Sequence, residues 1–203
     1  MSFLFLGFFT GLSLILAIGA QNIFVIEQGL KKQYVFIVCL ICSISDLLLI
    51  FLGIFLFQYF SQYFNQTVEL IFNILLLIFL AHFIFSKISA QNNKIDFNKQ
   101  NKNNSLINII TKTFGFTYLN PHVYSDTVFF LGNFSKNFLL EQKYYFGLGA
   151  TIASFLFFFG IGYLSKYLSK HLQNHRIWKV INTLIIIFMI FLALFVFIEI
   201  INY

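Results

Sequence analysis

Two acidic residues stand within long apolar stretches of this chain, where a charged side chain is costly. Asp46 is the only charged residue of the stretch 33–57, and Asp126 is the only one of the stretch 113–135. A carboxylate at the centre of a bilayer costs roughly 2.5 to 3.5 kcal/mol even on lenient insertion scales, so such residues are usually retained for a partner or a pathway. We therefore expect a cation or a proton to meet these two acids inside the membrane.

Polar residues that could bind a ligand lie beside two predicted helix interruptions. Gly19 marks the first, where neighbouring amides supply hydrogen-bond donors and acceptors without charge. Pro121, the only proline in the chain, marks the second, because it has no N–H and biases Asn120 away from helical angles. Backbone groups freed at this depth must find internal partners or line a wet cavity. The predicted residues for binding a substrate or a proton are Asp46, Asp126, Asn120, Gln21, Asn22, Tyr124 and His122.

Both interruptions have plainer interpretations as well. A membrane proline can be a packing kink, although the polar neighbours of Pro121 favour a functional break. Gln21 and Asn22 are equally suited to hydrogen bonds between helices, which contribute about 0.6 kcal/mol each on average. Cys39 and Cys42 have the spacing of a metal or redox pair, but no His or further Cys is near them, so we interpret them as small packing residues.

The elements that must position these residues are membrane helices. The chain is 59% hydrophobic and 10% charged, and Phe accounts for 31 of its 203 residues, a composition typical of a membrane protein. Six stretches have about the 17 to 25 apolar residues that a helix needs to cross a bilayer. They are residues 3–26, 33–57, 67–86, 113–135, 144–165 and 180–198. The sequence therefore predicts an all-α integral membrane protein with six transmembrane helices and one membrane domain over residues 1–203. Gly7 and Gly11 are spaced for close helix contact.

The charged residues predict the orientation of these helices. Eleven of the 13 Lys and Arg residues lie in the first, third and fifth connections, which the positive-inside rule assigns to the cytoplasm with both termini outside. These connections would lie against anionic lipid headgroups, and nucleic acid is a poor alternative partner. The polar connection 87–112 is predicted to be a cytoplasmic linker between halves 1–86 and 113–203. Three spans per half make the halves inverted repeats, as in many secondary transporters.

Three segments carry a resemblance to a known family. They are the stretch from Gly11 to Leu30 with its Gly-Ala-Gln-Asn motif, the stretch Cys42 to Asp46, and the stretch Leu119 to Thr127 with its Leu-Asn-Pro-His-Val-Tyr motif. Together they resemble the bacterial LysE/ArgO family of basic amino acid exporters, over nearly the whole chain. By this resemblance Asp46, Asn120, Pro121 and Asp126 occupy functional positions of the family.

The resemblance implies export of L-lysine, L-arginine or both across the bacterial cytoplasmic membrane, which we expect to occur in exchange for protons. No cofactor or metal is expected, and the small-residue faces leave room for a homodimer. Two other classes stay open. A related exporter of a divalent metal would suit two membrane acids, but the apolar stretches offer no Cys/His ligand cluster. An enzyme using the acids as an acid/base pair would lack any recognisable nucleophile or metal-ligand spacing, so we predict that the protein is not an enzyme.

Overall fold

In the computed structural model, every regular element among the described residues is a helix. The structure describes residues 2–16, 19–63, 66–91, 105–169 and 175–201. The helices are α1 (Ser2–Ile15), α2 (Ala20–Lys31), α3 (Val35–Tyr63), α4 (Gln66–Gln91), α5 (Leu106–Tyr118), α6 (Pro121–Tyr124), a π-helical turn (Ser125–Phe130), α7 (Leu131–Phe134), α8 (Leu140–Leu168) and α9 (His175–Ile201). Directly after α5, helix α6, the π turn and α7 form one continuous segment, which is called the 121–134 segment below.

The lengths and apolar character of these helices support a multi-pass membrane protein. Among the described residues, three stretches are long and apolar enough to cross a bilayer: Val35–Phe57, Gln66–Phe85 and Leu140–Leu168. The pair α1 and α2, bent by 83° at the predicted interruption, would be a fourth if it counts as one span. The fourth predicted span is divided between α5 and the 121–134 segment, and the sixth contains a shorter apolar stretch, Thr183–Ile198. The count of six spans and the inverted repeats therefore stay predictions.

Helix α8 forms the centre of the bundle and packs against α1, α2 and α3. Its contact with α1 is so close that a Cβ atom at Gly7 would collide with the carbonyl group of Phe146, and one at Gly11 would lie 2.9 Å from the Cα of Ala150. Gly149 approaches the carbonyl group of Leu4 from the other side in the same way. Only residues without a side chain allow backbones to meet at this distance. The prediction that Gly7 and Gly11 serve close helix contact is confirmed.

A second glycine contact holds the 121–134 segment against α3. A Cβ atom at Gly53 would lie 2.6 Å from the Cα of Val128, and one at Gly132 would lie 2.7 Å from the carbonyl oxygen of Gly53. Val128 belongs to the π turn, so this contact fixes the position of the turn relative to the middle of α3. Helix α9 lies apart from it and packs mainly on α4.

The predicted linker 87–112 is helical at both ends. Helix α4 continues to Gln91, and α5 begins at Leu106. Helix α5 thus begins before the apolar stretch 113–135, and Ile109 in its first turn is 2% exposed and packs in the main apolar core. Lys112 does not end the helix, since a long basic side chain can lay its stem along apolar surface. Residues 92–104 of the linker lie outside the described residues.

Candidate functional site

A cavity of about 440 Å³ lies between the two helix interruptions. Every helix except α5 contributes to its wall, and its size is that of a small-molecule pocket. Most of the wall is apolar. The polar side chains that line it are Gln21, Asn22, Asp46, Asn120, His122, Asp126 and Thr127. Six of the seven predicted binding residues, together with Gly19, are thus brought to one cavity from three separate parts of the chain.

Asp46 is the most deeply buried acid in the cavity wall. Its side chain is 3% exposed, and the hydroxyl of Ser154 on α8 donates a hydrogen bond to its Oδ2 over 2.8 Å. Asp126 is half-buried in the π turn and lies close enough to Asp46 for the two carboxylates to interact electrostatically. Within the described ranges, no Lys or Arg side chain lines this cavity. Its charge is therefore suited to a cation that enters from outside the protein.

One of the two amides at the first interruption bonds to the backbone there, and the other belongs to a residue of the cavity wall. Asn22 Nδ2 donates to the carbonyl oxygen of Ile15 over 3.0 Å, so it satisfies a backbone group freed where α1 ends. Gln21 is 6% exposed and also lines the cavity, and its Nε2 has no hydrogen-bond partner in the part of the chain that the structure describes. A buried amide donor in this state can bind an acceptor group of a ligand.

At the second interruption, side chains form hydrogen bonds with backbone groups on either side of the break. Asn120 Oδ1 accepts a hydrogen bond from the backbone N–H of His122 over 3.1 Å, which caps the start of α6. The hydroxyl of Tyr124 donates to the carbonyl oxygen of Tyr118 over 2.9 Å, across the break. Tyr124 is not among the residues that line the cavity, so the structure gives it a contact at the break and none with the space where a ligand would lie.

The two interruptions face each other. A Cβ atom placed on Gly19 would lie 3.9 Å from Asn120 Nδ2, so the ends of the broken helices meet at the cavity. Helix ends at membrane depth present uncompensated backbone dipoles, and such pairs commonly form the substrate sites of secondary transporters. The geometry thus places helix ends, three side-chain amides and two acids around one space.

Several parts of the site were missed by sequence reasoning. The π turn that carries Asp126 has no clear signature in the residue types, although such turns often occur at functional sites. Ser154 was missed too, and its only signal is a small polar residue in an apolar span. The aromatic walls supplied by Phe158, Phe191 and Phe195 could not be separated from the many other phenylalanines.

The structure also shows how the two cysteines are placed and whether metal-binding side chains are grouped. Cys39 and Cys42 are free and fully buried, which agrees with their interpretation as packing residues. Among the residues that the structure describes, no group of three or more His, Cys, Asp or Glu side chains is arranged to hold a metal ion.

Two broken helices that meet at a cavity with polar side chains in its wall, within an apolar bundle, are typical of membrane transport proteins. Comparison with known proteins agrees with this class. Residues 12–200 match the family model described as LysE type translocator, and the chain belongs to this family. It is accordingly a transport protein and not an enzyme.

The chain is also similar to individual members of the family. It is 33% identical over 195 residues to the arginine exporter protein ArgO of Enterobacter sp. (strain 638), covering 95% of this chain and 92% of that one. It is 34% identical over 188 residues to the arginine exporter protein ArgO of Salmonella typhimurium, covering 91% and 88%. No solved structure matches the chain.

Proposed function

We propose that this protein exports basic amino acids, L-arginine, L-lysine or both, from the cytoplasm across the bacterial inner membrane in exchange for protons. The observation that carries the proposal is the pair Asp46 and Asp126 facing one cavity whose described wall has no Lys or Arg side chain and whose one histidine is His122. A cationic side chain of the substrate would compensate the acids. The amide of Gln21 and the polar groups at Asn120 would bind its α-carboxylate and α-amine.

The proton is the coupling ion that the energetics favour. Moving one positive charge out of a cell against an inside-negative potential costs about 2.3 kcal/mol per 100 mV. Exchange of one cationic amino acid for one proton moves no net charge, so this cost disappears. A carboxylate can bind either species in turn, which suits the acids to alternate between them.

Transport in inverted membrane vesicles, whose cytoplasmic face is turned outward, tests the proposal directly. We expect labelled arginine or lysine to accumulate when the vesicle interior is acidic, and leucine not to accumulate. Dissipating the pH gradient should abolish accumulation, whereas a membrane potential alone should not drive it. Vesicles without the protein are the control. Accumulation of neither basic amino acid would refute the export proposal, and accumulation without a pH gradient would refute proton exchange.

The orientation with both termini outside also belongs to this proposal. Lys31 at the end of α2 lies near Lys112 of α5, and Gly29 packs against Ser165 and Lys166 at the end of α8. The basic residues of three separate connections therefore gather at one end of the bundle. The positive-inside rule assigns such an end to the cytoplasm, where it would lie against anionic lipids.

Replacing Ser154 with alanine is expected to weaken transport without abolishing it. Ser154 Oγ donates to Asp46, and a hydrogen bond to a charged group contributes about 1.5 to 3 kcal/mol. We expect the half-saturating arginine concentration in the vesicle assay to rise by about tenfold or more. Thr151→Val is the matched control, because its hydroxyl has no hydrogen-bond partner among the described residues. Equal effects of the two substitutions would contradict a role for the Ser154 bond.

A further inference from the structure

Helix α2 runs from the cavity toward the basic end of the bundle, and four of its residues lie on one face. Gln21, Phe24, Glu27 and Lys31 follow one another at steps of three, three and four residues, so they lie along the same side of the helix. Gln21 lines the cavity, whereas Glu27 does not. Six residues of helix place Glu27 about 9 Å farther along the axis.

Three buried aromatic rings pack together beside this face of α2. Phe24, Phe83 and Phe116 are each at most 3% exposed, and none of them lines the cavity. The ring centroid of Phe116 lies 4.9 Å from that of Phe24 and 4.9 Å from that of Phe83. Because Phe24 stands between Gln21 and Glu27 on α2, this aromatic layer separates the cavity from Glu27.

Beyond the layer, a buried carboxylate is held by a basic side chain of the same helix. Glu27 is 1% exposed, and Lys31 Nζ donates to its Oε1 over 2.5 Å. The side chain of Lys31 is 19% exposed, so it reaches this carboxylate from the surface. Lys112 Nζ lies 5.7 Å from the ring centroid of Phe83 and interacts electrostatically with both Glu27 and Lys31. A carboxylate buried to this degree needs a cation beside it.

We infer that Glu27 is a second binding site for the cationic group of the substrate, at the cytoplasmic end of its path. The inference rests on the proposed function. The ammonium of Lys31 occupies this site in the structure and is the same chemical group as the side-chain end of lysine, while the guanidinium of arginine can bind both carboxylate oxygens. An arriving substrate therefore replaces Lys31 at Glu27 and then passes the aromatic layer to reach Asp46 and Asp126.

The inference is tested by the half-saturating arginine concentration at the cytoplasmic face, measured in inverted vesicles. Glu27→Gln should raise it about tenfold or more, because a contact with a charged group is lost. Lys31→Met removes the competing cation and should lower it severalfold. Lys31→Arg should raise it, since a guanidinium competes more strongly. In the Glu27→Gln background, Lys31→Met should have no further effect. Lys32→Met, on the exposed neighbour, is the matched control and should match the wild type.

If Lys31 competes with substrate at Glu27, the two Lys31 substitutions shift the half-saturating arginine concentration in opposite directions. An ion pair that only stabilises the fold would be weakened by Lys31→Met and kept by Lys31→Arg, so an increase with Met or no change with Arg would overturn the inference. In that case the wild type would still transport arginine, and the proposed function would stand. Absence of arginine and lysine transport in the wild type would overturn both.

Discussion

Replacing Asp46 with asparagine is expected to reduce export of basic amino acids by about 100-fold or more. The substitution keeps the shape of the side chain and removes the charge that faces the cavity. Losing one member of a buried charge pair costs about 3 kcal/mol or more, which corresponds to this factor. The measurement is efflux of labelled arginine from loaded cells, normalised to the amount of protein in the membrane.

Asp126→Asn should have the same direction of effect and a smaller size, about tenfold, because Asp126 is half-buried whereas Asp46 is 3% exposed. A charge exposed to water is screened and contributes less to binding. Glu141→Gln at the exposed start of α8 removes an acid outside the cavity and serves as the control. Export at the wild-type rate in both aspartate variants would end the proposal that these carboxylates bind the travelling cation.

Adding a single methyl group at Gly53 is expected to reduce both stability and transport. In Gly53→Ala the new Cβ would lie 2.6 Å from two backbone atoms of Val128 and 2.7 Å from the carbonyl oxygen of Thr127. Backbone atoms cannot rotate away as a flexible side chain can, so the 121–134 segment must move. Overpacking of this kind usually costs 1 to 3 kcal/mol. We expect the melting temperature in detergent to fall by several degrees, and export to fall about tenfold because Asp126 moves with the segment.

Gly160→Ala is the matched control for this experiment. Gly160 also lies inside a long helix, α8, and among the described residues nothing is within 4 Å of a Cβ placed there. Alanine is favoured over glycine in a helix by about 1 kcal/mol, so this variant should be at least as stable as the wild type. If both variants behave alike, the close contact between Gly53 and the π turn has no part in holding the site.

The local features of the site could be predicted from the sequence because each depends on a few adjacent residues. Pro121 and the Gly19 region indicated where helices break, and the structure has helix ends at both places. The end of the linker could not be predicted in this way. Lys112 interrupts an apolar stretch, yet α5 extends through it because Ile109 packs against distant residues of the core.

The pairing of Glu27 with Lys31 also has one part that local sequence determines and one part that distant packing determines. Their spacing of four residues on a helix makes an ion pair available from the sequence alone. Its burial depends on α5 and α4, which bring Lys112 and the aromatic layer over the end of α2. On an exposed helix face the same pair would be an ordinary surface contact of little energetic value.

The sequence by itself determined that the chain is an apolar helical membrane protein with two isolated acids and two interrupted helices. These properties follow from hydrophobicity and backbone chemistry, which act over a few adjacent residues. Only the tertiary structure decided that Asp46 and Asp126 face one cavity, with Ser154 holding the first and a π turn presenting the second. That convergence depends on how closely helices far apart in the chain can approach. Glycines such as Gly53 and Gly132 set this distance through contacts that no local pattern contains.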